Sequence, residues 1–296
     1  VRILLTGVSG QVGFELARTL APHGEILAAD RSVLDLAGPP DRIRATVRRL
    51  APDLIVNPAA HTAVDRAESE PALARAINAT APAVLAEEAA ALGIALIHFS
   101  TDYVFDGAGT RPYREEDPCA PASVYGQTKR EGELAIAAAG PRHYLLRTSW
   151  VYGLRGRNFL ATMARLAGER PELRVVDDQI GAPTTSPAIA RATAALVAQI
   201  MGETPPPAGI YHLSCAGQTS WCGFARAIVQ RLPAVCAALN LPLPAHPPAV
   251  TGIRTADYPT PARRPAFSLL SNEKLRRTTG IALPDWADAL DELLAG

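Results

Sequence analysis

Lysine is almost missing from this chain: of 29 basic residues only Lys129 and Lys274 are lysines, and the rest are arginine. In so tilted a composition, a lysine marks a place that needs a compact, rotatable ammonium rather than a planar fork. Net charge is missing as well, with 29 basic against 29 acidic residues and no block of like sign. That leaves no electrostatic basis for a nucleic-acid partner or an anionic membrane. Cysteine is scarce, and Cys119, Cys215, Cys222 and Cys236 show neither C-x-x-C spacing nor paired histidines. Reduced, buried thiols are therefore expected and no metal site is predicted. His61 and His98 read as satisfied loop and strand histidines, because no second ligand stands at metal spacing. No apolar run approaches the roughly 18 residues a membrane span needs, and the chain opens directly on a strand-like Val1 to Leu5 with no leader pattern. The expectation is a cytoplasmic protein.

What is present is alternation. Val1 to Thr6 is a short apolar run, then Gly7, Gly10 and Gly13 lead into a helical pattern from Phe14 to Leu20. Strand, glycine turn and helix make the first unit of a nucleotide-binding fold, in which glycines let backbone N–H groups face a pyrophosphate. The G-x-x-G-x-x-G spacing differs from the commoner G-x-G-x-x-G, so the turn alone is a moderate signal. The rhythm continues with strands predicted at 25–30, 53–57, 94–100 and 143–148 and helices at 40–50, 71–92 and 123–139. It predicts an α/β, Rossmann-type, doubly wound parallel sheet. Past residue 150 the pattern loosens between proline-rich stretches, with helices expected at 158–168, 187–201, 220–239 and 284–294 and strands at 173–176 and 210–213. The division is a dinucleotide-binding domain over 1–150 and a smaller substrate-binding lobe over 151–296, interleaved with segments that return to the sheet domain.

Ligands of such sheets sit beyond the carboxyl ends of the strands, and the informative residues fall there. Asp30, 17 residues past Gly13, suits adenosine ribose hydroxyls, whereas the adjacent Arg31 suits a 2′-phosphate. NADH and NADPH both stay open. The stretch Tyr125-Gly126-Gln127-Thr128-Lys129 places a phenol and an ammonium four apart on one helical face, a candidate proton-transfer pair. A neighbouring cation favours phenolate, so Lys129 is expected to ease the proton off Tyr125. Gly126 and Gly132 weaken that helix, which suggests that something approaches it closely.

Read together, several blocks carry a resemblance. They are Gly7 to Gly13, Asn57 to Asp65, Ser100 to Phe105, Val124 to Lys129, Arg147 to Tyr152, Asp178 to Thr184 and Tyr258 to Pro265. The chain resembles the extended short-chain dehydrogenase/reductases, and within them the dTDP-4-dehydrorhamnose reductases. The resemblance implies NADPH- or NADH-dependent reduction of the 4-keto group of a dTDP-sugar. It implies that Gly7, Gly10, Gln11, Val12 and Gly13 hold the pyrophosphate, Asp30 and Arg31 the adenosine ribose end, and Asp35 and Leu36 the adenine. Ala60, His61 and Thr62 would lie along the middle of the dinucleotide. Lys129 would hold the nicotinamide ribose, Tyr125 donate the proton and Thr101 hydrogen-bond the carbonyl. Asp102 would contact the sugar, Trp150 offer it a face and Arg263 hold the diphosphate of the substrate. Pro58 and Pro187 depart from related sequences, the second where an acidic residue can occur. The family pattern thus leaves room for a homodimer but gives no magnesium at its interface.

A 4,6-dehydratase would share the Tyr/Lys pair but needs an acid and a base after the threonine, and Tyr103 follows Asp102. A nucleotide-sugar epimerase ranks next, since it reuses the hydride machinery. A non-catalytic reading, similar to the regulatory subunit of methionine adenosyltransferase, leaves Trp150 and the Arg263-Arg264 pair without a purpose.

Overall fold

In the computed structural model, residues 1–295 are described. The first half alternates β1 (Arg2–Thr6), α1 (Gln11–Thr19), β2 (Glu25–Ala29), α2 (Pro40–Leu50), β3 (Leu54–Asn57), α3 (Val64–Ser69), α4 (Pro71–Arg75), α5 (Ala81–Leu92), β4 (Ala95–Thr101), α6 (Val124–Ala139) and β5 (Arg142–Thr148). The second half contains β6 (Val151–Tyr152), α7 (Phe159–Glu169), β7 (Glu172–Val176), β8 (Ile180–Gly181), β9 (Thr184–Thr185) and α8 (Ser186–Ile200). It continues through β10 (Gly209–His212), β11 (Thr219–Ser220), α9 (Trp221–Gln230), α10 (Leu232–Ala238), β12 (Ala249–Ile253), α11 (Glu273–Thr279) and α12 (Trp286–Ala295). No helix among the described residues is long and apolar enough to cross a membrane.

Six strands form one parallel sheet in the order β10-β5-β4-β3-β1-β2. Central strands such as Leu54–Asn57 and Ala95–Thr101 are buried throughout, as continuous apolar runs covered on both faces should be. One face packs Ile3, Leu5, Val56 and Ile97 against residues of α1 and α8. The other packs Leu4, Ile55 and Leu96 against α2, α5 and Ile136 of α6. A separate apolar cluster in the second half gathers Tyr152, Leu160, Phe224, Ile228 and Leu290. Strand order reverses between β1 and β3, which puts the crevice at their carboxyl ends.

Two long helices expected from periodicity are interrupted, each by a proline. Pro82 has no N–H for the Asn78 carbonyl, and residues 76–80 take a π turn between α4 and α5. Pro233 divides the 220–239 stretch into α9 and α10 in the same way. The short strands β6, β8, β9 and β11, of two residues each, carry too little pattern to be read from sequence, and the sequence pattern predicts neither β12 nor the helices α3 and α11. The cysteines are free; Cys215, Cys222 and Cys236 are buried and Cys119 is partly so.

The close approach to α6 is real, but protein makes it. A Cβ on Gly126 would overlap the Tyr103 carbonyl, and one on Gly132 would overlap the Asn78 carbonyl that Pro82 leaves free. Gly132→Ala should therefore destabilise the protein by about 1–3 kcal/mol through overpacking. Gly168→Ala, exposed on α7 with open space around it, should stabilise by about 0.5–1 kcal/mol. Urea unfolding of both variants checks this, and equal shifts would remove the steric explanation.

Candidate active site

The glycine turn and the helix after it form one end of a cavity of about 500 Å³. Gly7 adopts φ +56° and stands against Ala59, so the turn after β1 and the loop after β3 close on one another as only glycine allows. Gly13 lies where any Cβ would strike the Gly7 carbonyl, which seats α1 on the turn. Gly10 caps α1 without a side-chain bond, and the first turn holds no acidic residue. The first N–H groups of α1 are thereby left for an anion in the cavity. A dinucleotide's pyrophosphate fits this end, because Gly10 brings no side chain to the helix start and no acidic residue opposes the charge. Gln11 is tied to the second half of the chain, accepting from Asn158 Nδ2 at 2.9 Å.

At the other end β4 delivers Thr101 and Asp102, and α6 delivers Tyr125 and Lys129. Ser123 starts α6 by accepting the Gly126 N–H at 3.2 Å, which sets Tyr125 in the first turn and Lys129 one turn later, both buried and both in the cavity wall. Tyr125 meets Tyr103 edge to face, with ring centroids 5.4 Å apart. Burial holds its phenol well above the ordinary tyrosine range, opposed in part by the Thr101 hydroxyl beside it.

Lys129 Nζ donates to the Phe99 carbonyl at 2.6 Å and lies 3.1 Å from His98 Nε2. An ammonium has only protons to give, so His98 accepts here. Its Nδ1 lies 2.9 Å from the Asn57 amide, which in turn meets the Thr6 hydroxyl at 2.6 Å. Burial first, and the Lys129 charge second, push His98 well below its ordinary range and keep it neutral. The expected easing of the Tyr125 proton by Lys129 is thus not what this state displays: the ammonium is committed to His98 and Phe99, and burial governs the phenol. Burial also pushes Lys129 itself down to about 8, against the opposing charge of Glu133.

Below Lys129, Glu133 binds Arg147 of β5 through both carboxylate oxygens at 2.8 Å. Both side chains are fully buried, and the half-buried Arg130 adds a third bond at 2.8 Å. This pair ties α6 to β5.

The cavity wall collects Gly7, Gly10, Gln11, Val12, Gly13, Ala60, Thr62, Thr101, Asp102, Tyr125, Lys129 and Trp150 from the residues singled out in the sequence. The others stand elsewhere. Asp30, Arg31 and Asp35 lie exposed after β2, where Asp30 accepts from Ser32 and Arg31 pairs with Asp35 at 3.4 Å. Leu36 is buried in the core beneath them. His61 turns its side chain toward Glu70, with Nε2 at 3.6 Å. Arg263 is exposed at a small neighbouring hollow with Tyr103 and Phe105, while Arg264 donates to Asp65 at 2.7 Å. Trp150, at φ +47°, stacks on Trp221 with centroids 3.5 Å apart and donates to Ser268 at 3.1 Å. Sequence reading missed Ser9, Val64, Phe99, Val151 and Arg157 in the wall. Phe99 was legible as the residue two before Thr101; Arg157 carried no signal.

An ammonium held down to about 8 gives a pH signature. Between about pH 8 and the ordinary lysine range the unfolded chain binds a proton that the folded one has lost, so this group's contribution to stability rises with pH. Wild type should gain stability relative to Lys129→Met over that window, by up to about 1.4 kcal/mol per pH unit. Urea unfolding of both proteins at several pH values measures it; a constant difference would mean that Lys129 titrates as an exposed lysine does.

Comparison with known proteins agrees with this geometry. The family described as RmlD substrate binding domain matches residues 1–296. The dTDP-4-dehydrorhamnose reductase of Burkholderia thailandensis is 48% identical over 293 residues, 98% of this chain and 97% of that protein. The crystal structure of a dTDP-4-dehydrorhamnose reductase from Clostridium acetobutylicum superposes with TM-score 0.88 at 35% identity, covering 100% of this chain and 99% of that one. The corresponding Bacillus anthracis enzyme, solved in complex with NADP, gives TM-score 0.88 at 32% identity over 99% and 98% of the two chains. With its full length matched, its sheet superposed and its Thr, Tyr and Lys brought to one cavity, this chain belongs to the dTDP-4-dehydrorhamnose reductase family.

Proposed function

We propose that this protein reduces the 4-keto group of dTDP-4-dehydro-L-rhamnose to give dTDP-L-rhamnose, with NADPH or NADH as reductant. The observation that carries the reading is one continuous cavity with a glycine-lined anion cradle at one end and Thr101, Tyr125 and Lys129 at the other. The name shared by relatives at 41–48% identity supports the substrate, and the NADP found in the Bacillus anthracis structure supports the cofactor. The epimerase and regulatory-subunit readings gain no comparable support.

When bound, a reduced nicotinamide supplies the hydride. The chain's own residues do the rest. Thr101 orients the carbonyl by hydrogen bonding to its oxygen, and Tyr125 gives that oxygen its phenolic proton as the hydroxyl forms. A phenol kept high by burial stays protonated at neutral pH and is ready to donate to an alkoxide-like oxygen, which is more basic still. Lys129 balances the phenolate left behind and holds a ribose hydroxyl. Residues 1–150 serve as the dinucleotide half and 151–296 as the substrate half, with Trp150 and Arg263 directed to the sugar nucleotide. Asp30, Arg31, Asp35 and Leu36 take the adenosine end beyond the cavity.

Mixing protein, NADPH and dTDP-4-dehydro-L-rhamnose should oxidise the nicotinamide, followed by its absorbance. Tyr125→Phe should lower kcat about 10²- to 10⁴-fold while leaving NADPH affinity within a few-fold. Near-normal turnover would transfer the proton to another donor, and no turnover by wild type with intact NADPH binding would overturn the assignment.

A further inference from the structure

Thr101 has a single hydroxyl proton, and here it is directed at Asp102 Oδ1, 2.9 Å away. The Thr101 hydroxyl oxygen itself accepts the Tyr103 N–H at 3.2 Å. A hydroxyl engaged in this way has no second proton for a carbonyl oxygen in the cavity. The reductase reading needs that donation, so the proton must be released from Asp102.

Asp102 has the features of a group that can release it. It is 2% exposed, it lines the cavity, and its Oδ2 has no partner. The nearby Ser268 hydroxyl donates toward the Ile180 carbonyl at 3.4 Å and accepts from Trp150 at 3.1 Å. The charged groups on the surrounding elements are engaged elsewhere: Lys129 on α6 with His98 and the Phe99 carbonyl, and Arg264 on the chain segment beside Tyr103 with Asp65. Arg157 is in the same cavity wall and makes no bond to Asp102. The two titratable neighbours that remain, Tyr103 and Tyr125, are both raised by burial and stay neutral phenols. Nothing cationic stabilises the carboxylate.

We infer that Asp102 is a positioning residue that sets, by holding or losing its own proton, whether Thr101 can donate to the oxygen being reduced. A protonated Asp102 donates to the Thr101 oxygen and frees the threonine proton for the carbonyl. An ionised Asp102 takes the threonine proton and leaves only lone pairs facing the cavity. Burial raises the Asp102 carboxyl to about 7, offset in part by Thr101, by Ser268 and by the Asp102 and Tyr103 N–H groups. Because the acid form is the competent one, turnover is favoured below about pH 7 and lost as pH rises through that value.

The inference rests on the reductase reading, and the two fail differently. A wild-type protein that never oxidises NADPH with dTDP-4-dehydro-L-rhamnose sinks the reading. Given activity, wild-type kcat/KM should fall about tenfold per pH unit on the alkaline side. Asp102→Asn can donate permanently through Nδ2 and cannot titrate, so its profile should lose the fall centred near pH 7 and keep only the later loss that follows the Lys129 charge near pH 8; a variant that keeps the fall near pH 7 overturns the inference. Thr101→Val has no hydroxyl to turn, so its slower reaction should also lack the fall near pH 7, and a fall persisting at that midpoint overturns the route through Thr101. NADPH binding reports whether each variant is folded. If neither variant folds, infrared spectra of wild type without substrate decide: a carboxyl band should titrate with the same midpoint as the rate, and its absence near neutral pH overturns the inference.

Discussion

The bond between Glu133 and Arg147 fixes the helix on which the chemistry stands. A buried ion pair gives little net stability, because desolvating both charges offsets most of their attraction. Its geometric effect is another matter. Two parallel bonds of 2.8 Å from a fully buried carboxylate to a fully buried guanidinium admit one rotation and one height of α6 against β5. Losing either partner would leave the other charged and dry, so the arrangement is retained as a whole. Lys129 and Tyr125, one and two turns up the same helix, are aimed as a consequence.

Two glycine contacts lock the same helix from other sides. Gly126 lies on the Tyr103 carbonyl and Gly132 on the Asn78 carbonyl, the second made available because Pro82 breaks the helix opposite. The π turn that results also places the Asn78 amide to accept the His61 N–H at 2.8 Å and to donate to the Thr128 hydroxyl at 3.2 Å. A single proline thereby couples the loop after β3 to α6. The proposed reaction needs these two elements held together, since one borders the middle of the cavity and the other carries Tyr125, the proposed proton donor.

The buried polar groups near the reacting end divide by role. The chain Thr6, Asn57, His98 and Lys129 crosses three adjacent strands and ends on an ammonium that gives two of its three protons to the protein. Asp102, like the Ser100 and Thr148 hydroxyls of the same wall, is buried with an oxygen unpaired, and of the three it alone can carry a charge. In a low-dielectric wall an unpaired carboxylate oxygen is costly, which is why its protonation state is poised rather than settled.

The chain's periodicity and punctuation determined the sheet, the glycine turn, the Tyr125/Lys129 spacing and the landing of Thr101 at a strand end, because these depend on local pattern and on the rule that ligands meet parallel sheets at their carboxyl edge. The helix breaks at Pro82 and Pro233 were also written there, though an apolar period running through them hid both. Tertiary structure alone decided the remainder. Nothing in the spacing says that Lys129 turns to His98 rather than to Tyr125, that Trp150 is stacked on Trp221, that Arg264 is spent on Asp65, or that Arg157 reaches the cavity. Those outcomes depend on which groups, distant in sequence, compete for one partner once water is gone, and burial settles that competition only when the strands and helices have closed.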